Sequence, residues 1–564
     1  MKPGKNLLKT VWLLFVCLAI TSPQSGKAEK SPDPRIVNII NFIRQTEPRS
    51  EEITDEVLYQ TVVEQVKQLN AHRLKGTFLL QYDALINPKY QQLLKNELYP
   101  GSEIGGWWEI TQPHVEAAGL KWRGRYAWDW HADVGFATGY TPEEREKLVD
   151  VYMEKFKSVF GKYPTAIGSW FIDAHTLGYM YDKYHITASC NCKDQIGTDG
   201  YTLWGGYWNQ AYYPSRRNAY MPAQTEKGQI PVPVFRMLGS DPIYQYDSGL
   251  GGSVQSVVSL EPVYKEGGGS RAWVEWFFHS MFEEPCLSFA YTQVGQENSF
   301  TWDAMKQGLE IQVPILEELQ KEKKIRVETL AESGEWFKEQ FPVTPPTAVT
   351  TLSDNRGNDR KTIWYNSRFY RTNLLWEGSS FRFRDIHLFN EAYASDYLTK
   401  AGTSNQCVYT TLPIVDGCMW STAGQLAGLR LNCKDASGKM TEAKGGTPSV
   451  EEKGQILRVS WPLENRKAVF HITFQEDCME LACDSEDKDF AWNLELTALP
   501  GAELPFTTIA NQAVSASQKN FDYQIACRTG RFVDLRKEAG NRIFKIEPAQ
   551  GKVILFFNCA GNRR

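Results

Sequence analysis

Residues 36–43 read Ile36-Val-Asn-Ile-Ile-Asn-Phe-Ile43, an apolar run broken only by two asparagines. Five of its eight side chains are β-branched, which favours a strand. Apolar residues at both even and odd positions mean that both faces are covered, as in a parallel sheet flanked by helices. The following sequence agrees. Residues 55–70 carry Val57, Leu58, Val62, Val63, Val66 and Leu69 at helical spacing, and residues 76–82 (GTFLLQY) return to a short strand. A helix over 87–97 and a strand over 103–110 (EIGGWWEI) repeat the alternation, before an aromatic-rich insertion over 111–140. Thr141-Pro142-Glu143-Glu144 supplies an N-cap threonine, a proline at the first helical position and acids in the first turn, opening a helix to about residue 160. Further strands are expected over 166–172, 186–189, 233–238 and 286–293, with a helix over 302–322. Seven strands alternating with helices predict an α/β fold, a (β/α)7-type barrel, with its active site on the loops after the strands.

Near residue 341 the texture changes. Pro342, Pro345 and Pro346, with Thr344 and Thr347, read as a linker. Beyond it come short alternating runs separated by Gly, Asn and Asp turns, which predict an all-β sandwich. The expected organisation is a signal peptide over 1–28, a barrel over 29–345 and an accessory sandwich over 346–564 that packs on the barrel and supplies no catalytic residue.

The signal peptide rests on Lys2, Lys5 and Lys9, the apolar stretch 11–20, and a cleavage site at Gly26-Lys27-Ala28. That stretch is short of the roughly 20 residues of a membrane span. Cys17 follows Phe15-Val16, a poor lipobox, so a soluble periplasmic or secreted protein is expected ahead of a lipoprotein. Of eleven cysteines, seven lie after residue 400, where export would permit disulfides. Net charge is −5 with both signs mixed, so neither nucleic acid nor an anionic membrane is an expected partner. Aromatics are 13% of residues, with 18 tryptophans. Most fill cores, but runs mixing Trp and Tyr with Gly, Asn and Arg suit a carbohydrate partner.

Four stretches come in a telling order: Lys75-Gly-Thr-Phe-Leu79, Glu103-Ile-Gly105, Thr141-Pro-Glu-Glu144 and Gly161-Lys-Tyr-Pro-Thr165. Over residues 36–300 this order resembles the superfamily that unites polysaccharide deacetylases with family 38 and family 57 glycoside hydrolases. The resemblance implies a carbohydrate-active barrel. It departs from the deacetylases where their metal site would be. Their Asp-Asp pair after strand one is replaced by Asn41-Phe-Ile-Arg44, and their paired histidines after strand three by Trp107-Trp-Glu-Ile-Thr111, with His114 alone nearby. Weight therefore moves to the glycoside hydrolases, with a deacetylase and a non-catalytic glycan-binding protein as alternatives.

Within that resemblance Asp173, in Trp170-Phe-Ile-Asp173, matches a nucleophile that family 38 keeps in a W-x-I-D context. Its bland reading is a helix N-cap. Glu297, Glu109 and Asp129 are candidates for the second carboxylate, Glu297 because it follows strand seven, where family 57 keeps its acid. Arg44 and Asp83 follow strands one and two, point at the barrel mouth and are substrate-binding candidates; Arg44 reads equally as the group that keeps a catalytic carboxylate ionised or as a structural ion pair. His131, His175 and Asp199 are further substrate-binding candidates, Asp199 being also an ordinary Asp-Gly turn. In residues 200–222, Trp204, Trp208 and Tyr213 can stack on sugars and Arg216 can bind hydroxyls or an anion; alternatively the segment is an aromatic minicore. Satisfied histidines are commoner than ligands, so His131, Asp133, His175 and His279 predict no metal, and no cofactor is expected.

Overall fold

The computed structural model describes Met1 and residues 33–558 apart from 251–253, 436, 465–466, 488 and 537–541. The expected signal peptide and its Cys17 lie outside the described residues, apart from Met1. The described residues from Asp33 onward form one compact unit. No helix among the described residues is long and apolar enough to cross a membrane.

Seven parallel strands make the barrel: β1 (Arg35–Ile43), β2 (Thr77–Leu80), β3 (Glu103–Trp107), β4 (Ala166–Gly168), β5 (Ala188–Asn191), β6 (Val234–Arg236) and β7 (Ala290–Val294). Their order is β7-β1-β2-β3-β4-β5-β6, each neighbour pair parallel. An antiparallel two-residue strand, Ala211–Tyr212, continues beyond β6, and Arg326–Glu328 adds to β1. Both faces are covered, as the apolar run at 36–43 requires. Ile36, Ile40 and Phe42 face the barrel interior with Leu79, Trp107 and Cys190, while Val37, Ile39 and Ile43 pack in the outer core with Val62, Val66 and Leu69 of the helix Asp55–His72. Gly168 faces inward too: a Cβ there would lie 2.5 Å from Cys190 Sγ and 3.2 Å from the Trp107 ring, so the glycine makes room for the indole.

Among the described residues no backbone ladder joins β6 to β7. The seam is crossed by side chains. Gln293 Oε1 accepts the Leu238 N–H at 2.9 Å, and the Phe235 and Tyr291 rings lie 4.8 Å apart. The expected strand over 286–293 is two pieces, because Ser288 takes a left-handed conformation (φ 61°) and turns the chain. Cys286–Leu287 leaves the barrel and pairs antiparallel with Thr347–Thr351.

The C-terminal half is two antiparallel sheets of eleven and eight strands. The first takes its edge strand, Cys286–Leu287, from the barrel chain. A second splice is parallel: Tyr201–Trp204 pairs with Cys407–Thr410. Trp208 stacks on Trp364 at 4.5 Å, and Arg371 ties Asp385 to Asp194. The nine described cysteines form no disulfide with one another.

Candidate active site

Strand alternation sets the mouth. Beyond the inward Phe42, Leu79 and Trp107, two more residues along each strand give Arg44, Gln81 and Glu109. Arg44 is 1% exposed and holds Glu109 in a fork, Nε to Oε2 at 2.9 Å and Nη2 to Oε1 at 2.8 Å. Its third nitrogen, Nη1, donates to Glu297 Oε1 at 3.1 Å. Glu109 also accepts from Gln81 Nε2 (2.9 Å) and Trp107 Nε1 (2.8 Å), so all four hydrogen bonds reach it from donors. The Trp128 ring covers the Arg44 guanidinium at 4.1 Å. Asn298 fixes the Arg44 backbone, accepting its N–H at 2.9 Å and donating to its carbonyl at 2.8 Å. Below lies an aromatic floor, Phe42 stacked on Trp107 at 4.1 Å with Trp170 edge-on at 5.4 Å.

Glu297 and Asp83 share an unusual electrostatic state. Burial pushes the Glu297 carboxyl up to about 7; Arg44 pulls it back and the nearby Glu109 charge adds to the rise. Burial likewise pushes Asp83 up to about 7, against backbone N–H donors including Ala84 at 2.7 Å. Two carboxyls at one mouth thus hold a proton near neutral pH.

The remaining candidates are placed elsewhere or otherwise engaged. Asp173 is fully buried at the N-terminus of the helix Ala174–Tyr184. Its oxygens accept from Thr176 N (3.0 Å), Thr176 Oγ1 (2.6 Å) and Arg145 Nη1 (2.9 Å). The structure does not bring it to Arg44, Glu109 or Glu297; it is a cap and an ion pair. Asp129 is gripped by Arg125 in a fork of 2.8 and 2.6 Å. Burial opposes its charge, but Arg125 more than offsets that and holds it down to about 2, so it staples its loop rather than carrying protons. The His131 N–H joins that staple at 3.2 Å. His175 pairs with Glu146 at 3.0 Å on the helix surface. Asp199 sits in a turn (φ 41°) and meets Arg49 at 3.1 Å; Arg49 also forks Glu47, which links that turn to the mouth.

The aromatic segment is a minicore. Trp204 donates to Asp416 Oδ2 at 2.9 Å, Trp208 stacks on Trp364, and Tyr213 meets Phe337 edge-on at 5.0 Å and donates to the Phe341 carbonyl. All three are nearly fully buried; Arg216 is exposed and reaches Asp182 at 3.5 Å. Trp204 lines a cavity of about 330 Å³ together with His387, Asp416 and Trp420.

Sequence reasoning missed Gln81 and Trp107, which hold Glu109. Both were legible by extending strand alternation past the apolar run. A deacetylase-type metal does not fit these residues. His114 is buried with Nε2 against the Leu148 carbonyl and its ring stacked on Tyr82 at 4.5 Å, and burial pushes it down to about 4. Among the described residues no three His, Cys, Asp or Glu side chains gather as ligands.

No family profile and no curated protein matches the chain. Among solved structures, a Parabacteroides distasonis protein described as a glycoside hydrolase/deacetylase matches with a TM-score of 0.50 and 16% identity, over 67% of this chain and 90% of its own. A Mycobacterium smegmatis protein described as a polysaccharide deacetylase matches with a TM-score of 0.33 at 12% identity, over 56% of this chain and 94% of its own. One from Pseudomonas aeruginosa with the same description matches with a TM-score of 0.36 at 9%, over 55% and 93%. At such identities the first likeness shows a shared fold and the other two carry no argument.

Proposed function

We propose that the chain is a carbohydrate-active hydrolase, and within that class a glycoside hydrolase in which Glu297 is the acid and Glu109 the second carboxylate. One observation carries the reading: a single buried guanidinium, Arg44, is shared by two glutamates in unlike surroundings. Glycosidic cleavage needs one carboxyl that keeps a proton near neutral pH for the leaving oxygen, and another that attacks the anomeric carbon or activates water. Glu297, pushed up to about 7, suits the first duty. Glu109, fixed by four donors, suits the second. Phe42, Trp107 and Trp170 pack beneath the two carboxyls and supply the apolar surroundings that raise Glu297. The family resemblance in the sequence and the shared fold point to the same substrate class.

The test separates the two roles. With 4-nitrophenyl glycosides the leaving group departs without protonation, so Glu297→Gln keeps most of its bond-cleaving rate. On unactivated oligosaccharides the same variant loses about 10²–10⁴-fold. Glu109→Gln loses both activities. A Glu297→Gln protein, folded by circular dichroism, that keeps the parental rate on an unactivated glycan sinks the assignment.

A further inference from the structure

Lys193 stands two residues beyond β5, on the rim where the barrel strands end, and is 3% exposed. Its Nζ is buried and, among the described residues, has no hydrogen-bond partner. An ammonium has three donors and no acceptor, and enclosing it unpaired is strongly unfavourable. The carboxylates of the mouth, with Glu261 and the adjacent Asp194, are committed elsewhere. Glu109 and Glu297 meet Arg44, Glu261 accepts from Ser259 (2.6 Å) and Gln296 (3.1 Å), and Asp194 serves Arg236 and Arg371. The other cations of the mouth are equally occupied, Arg44 by those two glutamates and Arg49 by Glu47 and Asp199. β5 runs parallel to β1, β2 and β3, so Lys193 leaves the barrel at the same end as Arg44, Gln81 and Glu109.

We propose that Lys193 receives an anionic group of the glycan, a carboxylate or a sulfate, so that the mouth selects an acidic sugar over a neutral one. The inference rests on the reading of the mouth as the glycan site. A fold that retains an unpaired buried charge gives up stability for it, and a ligand anion restores the balance on binding.

The experiment uses the full chain and thermal melting, with sodium sulfate, sodium glucuronate and glucose as probes at matched ionic strength. Without probe, Lys193→Met melts higher than the parent by about 1–3 °C. Sulfate or glucuronate raises the parent's Tm more than the variant's, glucose shifts neither, and Lys193→Arg keeps the response. Whichever anion acts tells a sulfated from a uronic substrate. A Lys193→Met protein that melts lower or fails to fold shows the ammonium holding the structure together and overturns the proposal. Equal anion shifts in parent and variant overturn it as well. Neither readout involves turnover, so a failure here and a failure of the Glu297 assignment are told apart.

Discussion

Asp173 and Glu297 are both buried carboxyls just past barrel strands, and their neighbours give them different duties. Asp173 is saturated by Thr176 and Arg145. Removing it in Asp173→Ala leaves the buried Arg145 charge with backbone carbonyls and no carboxylate, a loss of about 3–5 kcal/mol. Urea unfolding should show that loss while the folded fraction keeps its turnover; unchanged stability with abolished turnover would return Asp173 to the chemistry. Glu297 keeps its proton up to about 7, so kcat/KM should decline as pH rises through that value. A pH–rate profile checks it, and Glu297→Gln should lose that limb. The sequence marked Arg44, Asp83, Glu109 and Glu297 as mouth residues because each follows a recognisable strand. It ranked Asp173 first because Arg145, 28 positions upstream, gives no local sign of folding back onto it.

At the scale of elements, all seven parallel strands were legible, since burial on both faces writes an apolar run of strand length. The seam was not. A missing ladder leaves no trace in periodicity, and Ser288 does not announce a left-handed turn. Gln293 is what satisfies the Leu238 N–H there. Replacing it in Gln293→Leu strands a buried donor, which costs about 1–3 kcal/mol. Chemical denaturation checks this, and an unchanged midpoint would mean that the seam is held by its rings alone. In the β-rich half, His387 lies between Asp385 (3.1 Å) and Asp416 (3.5 Å). Burial disfavours its charge, but Asp385 and Asp416 more than offset this and push it up to about 9. The folded state therefore holds a proton that the unfolded chain, with an ordinary value of 6.5, releases first. That stabilisation is complete below 6.5 and is lost as pH rises through about 9, on the order of a few kcal/mol. Melting temperature followed from pH 6 to 10 should fall across that window, and less steeply in His387→Gln.

At the scale of the whole molecule, composition separated an α/β half from a β half, and the structure joins them more deeply than a linker near residue 345 suggests. The barrel chain lends Cys286–Leu287 to one sheet and receives Cys407–Thr410 beside Tyr201–Trp204. Trp208 and Asp194 take their partners, Trp364 and Arg371, from across the boundary. Residues 29–345 expressed alone leave two strand edges and the Trp208 face uncovered. We expect that fragment to be insoluble or aggregated by gel filtration, and coexpression with 346–564 to recover soluble protein. A monomeric, cooperatively melting fragment would show the two halves to be separable.

The pairing of Tyr201–Trp204 with Cys407–Thr410 also constrains the order of events during synthesis. The edge of Tyr201–Trp204 leaves the ribosome about 200 residues ahead of the strand that covers it. At about 5–20 residues per second, that edge waits ~10–40 s without its partner. That three-stranded layer of the first half is completed only once residues 407–410 of the second have been made, a non-local pairing of the kind that slows folding.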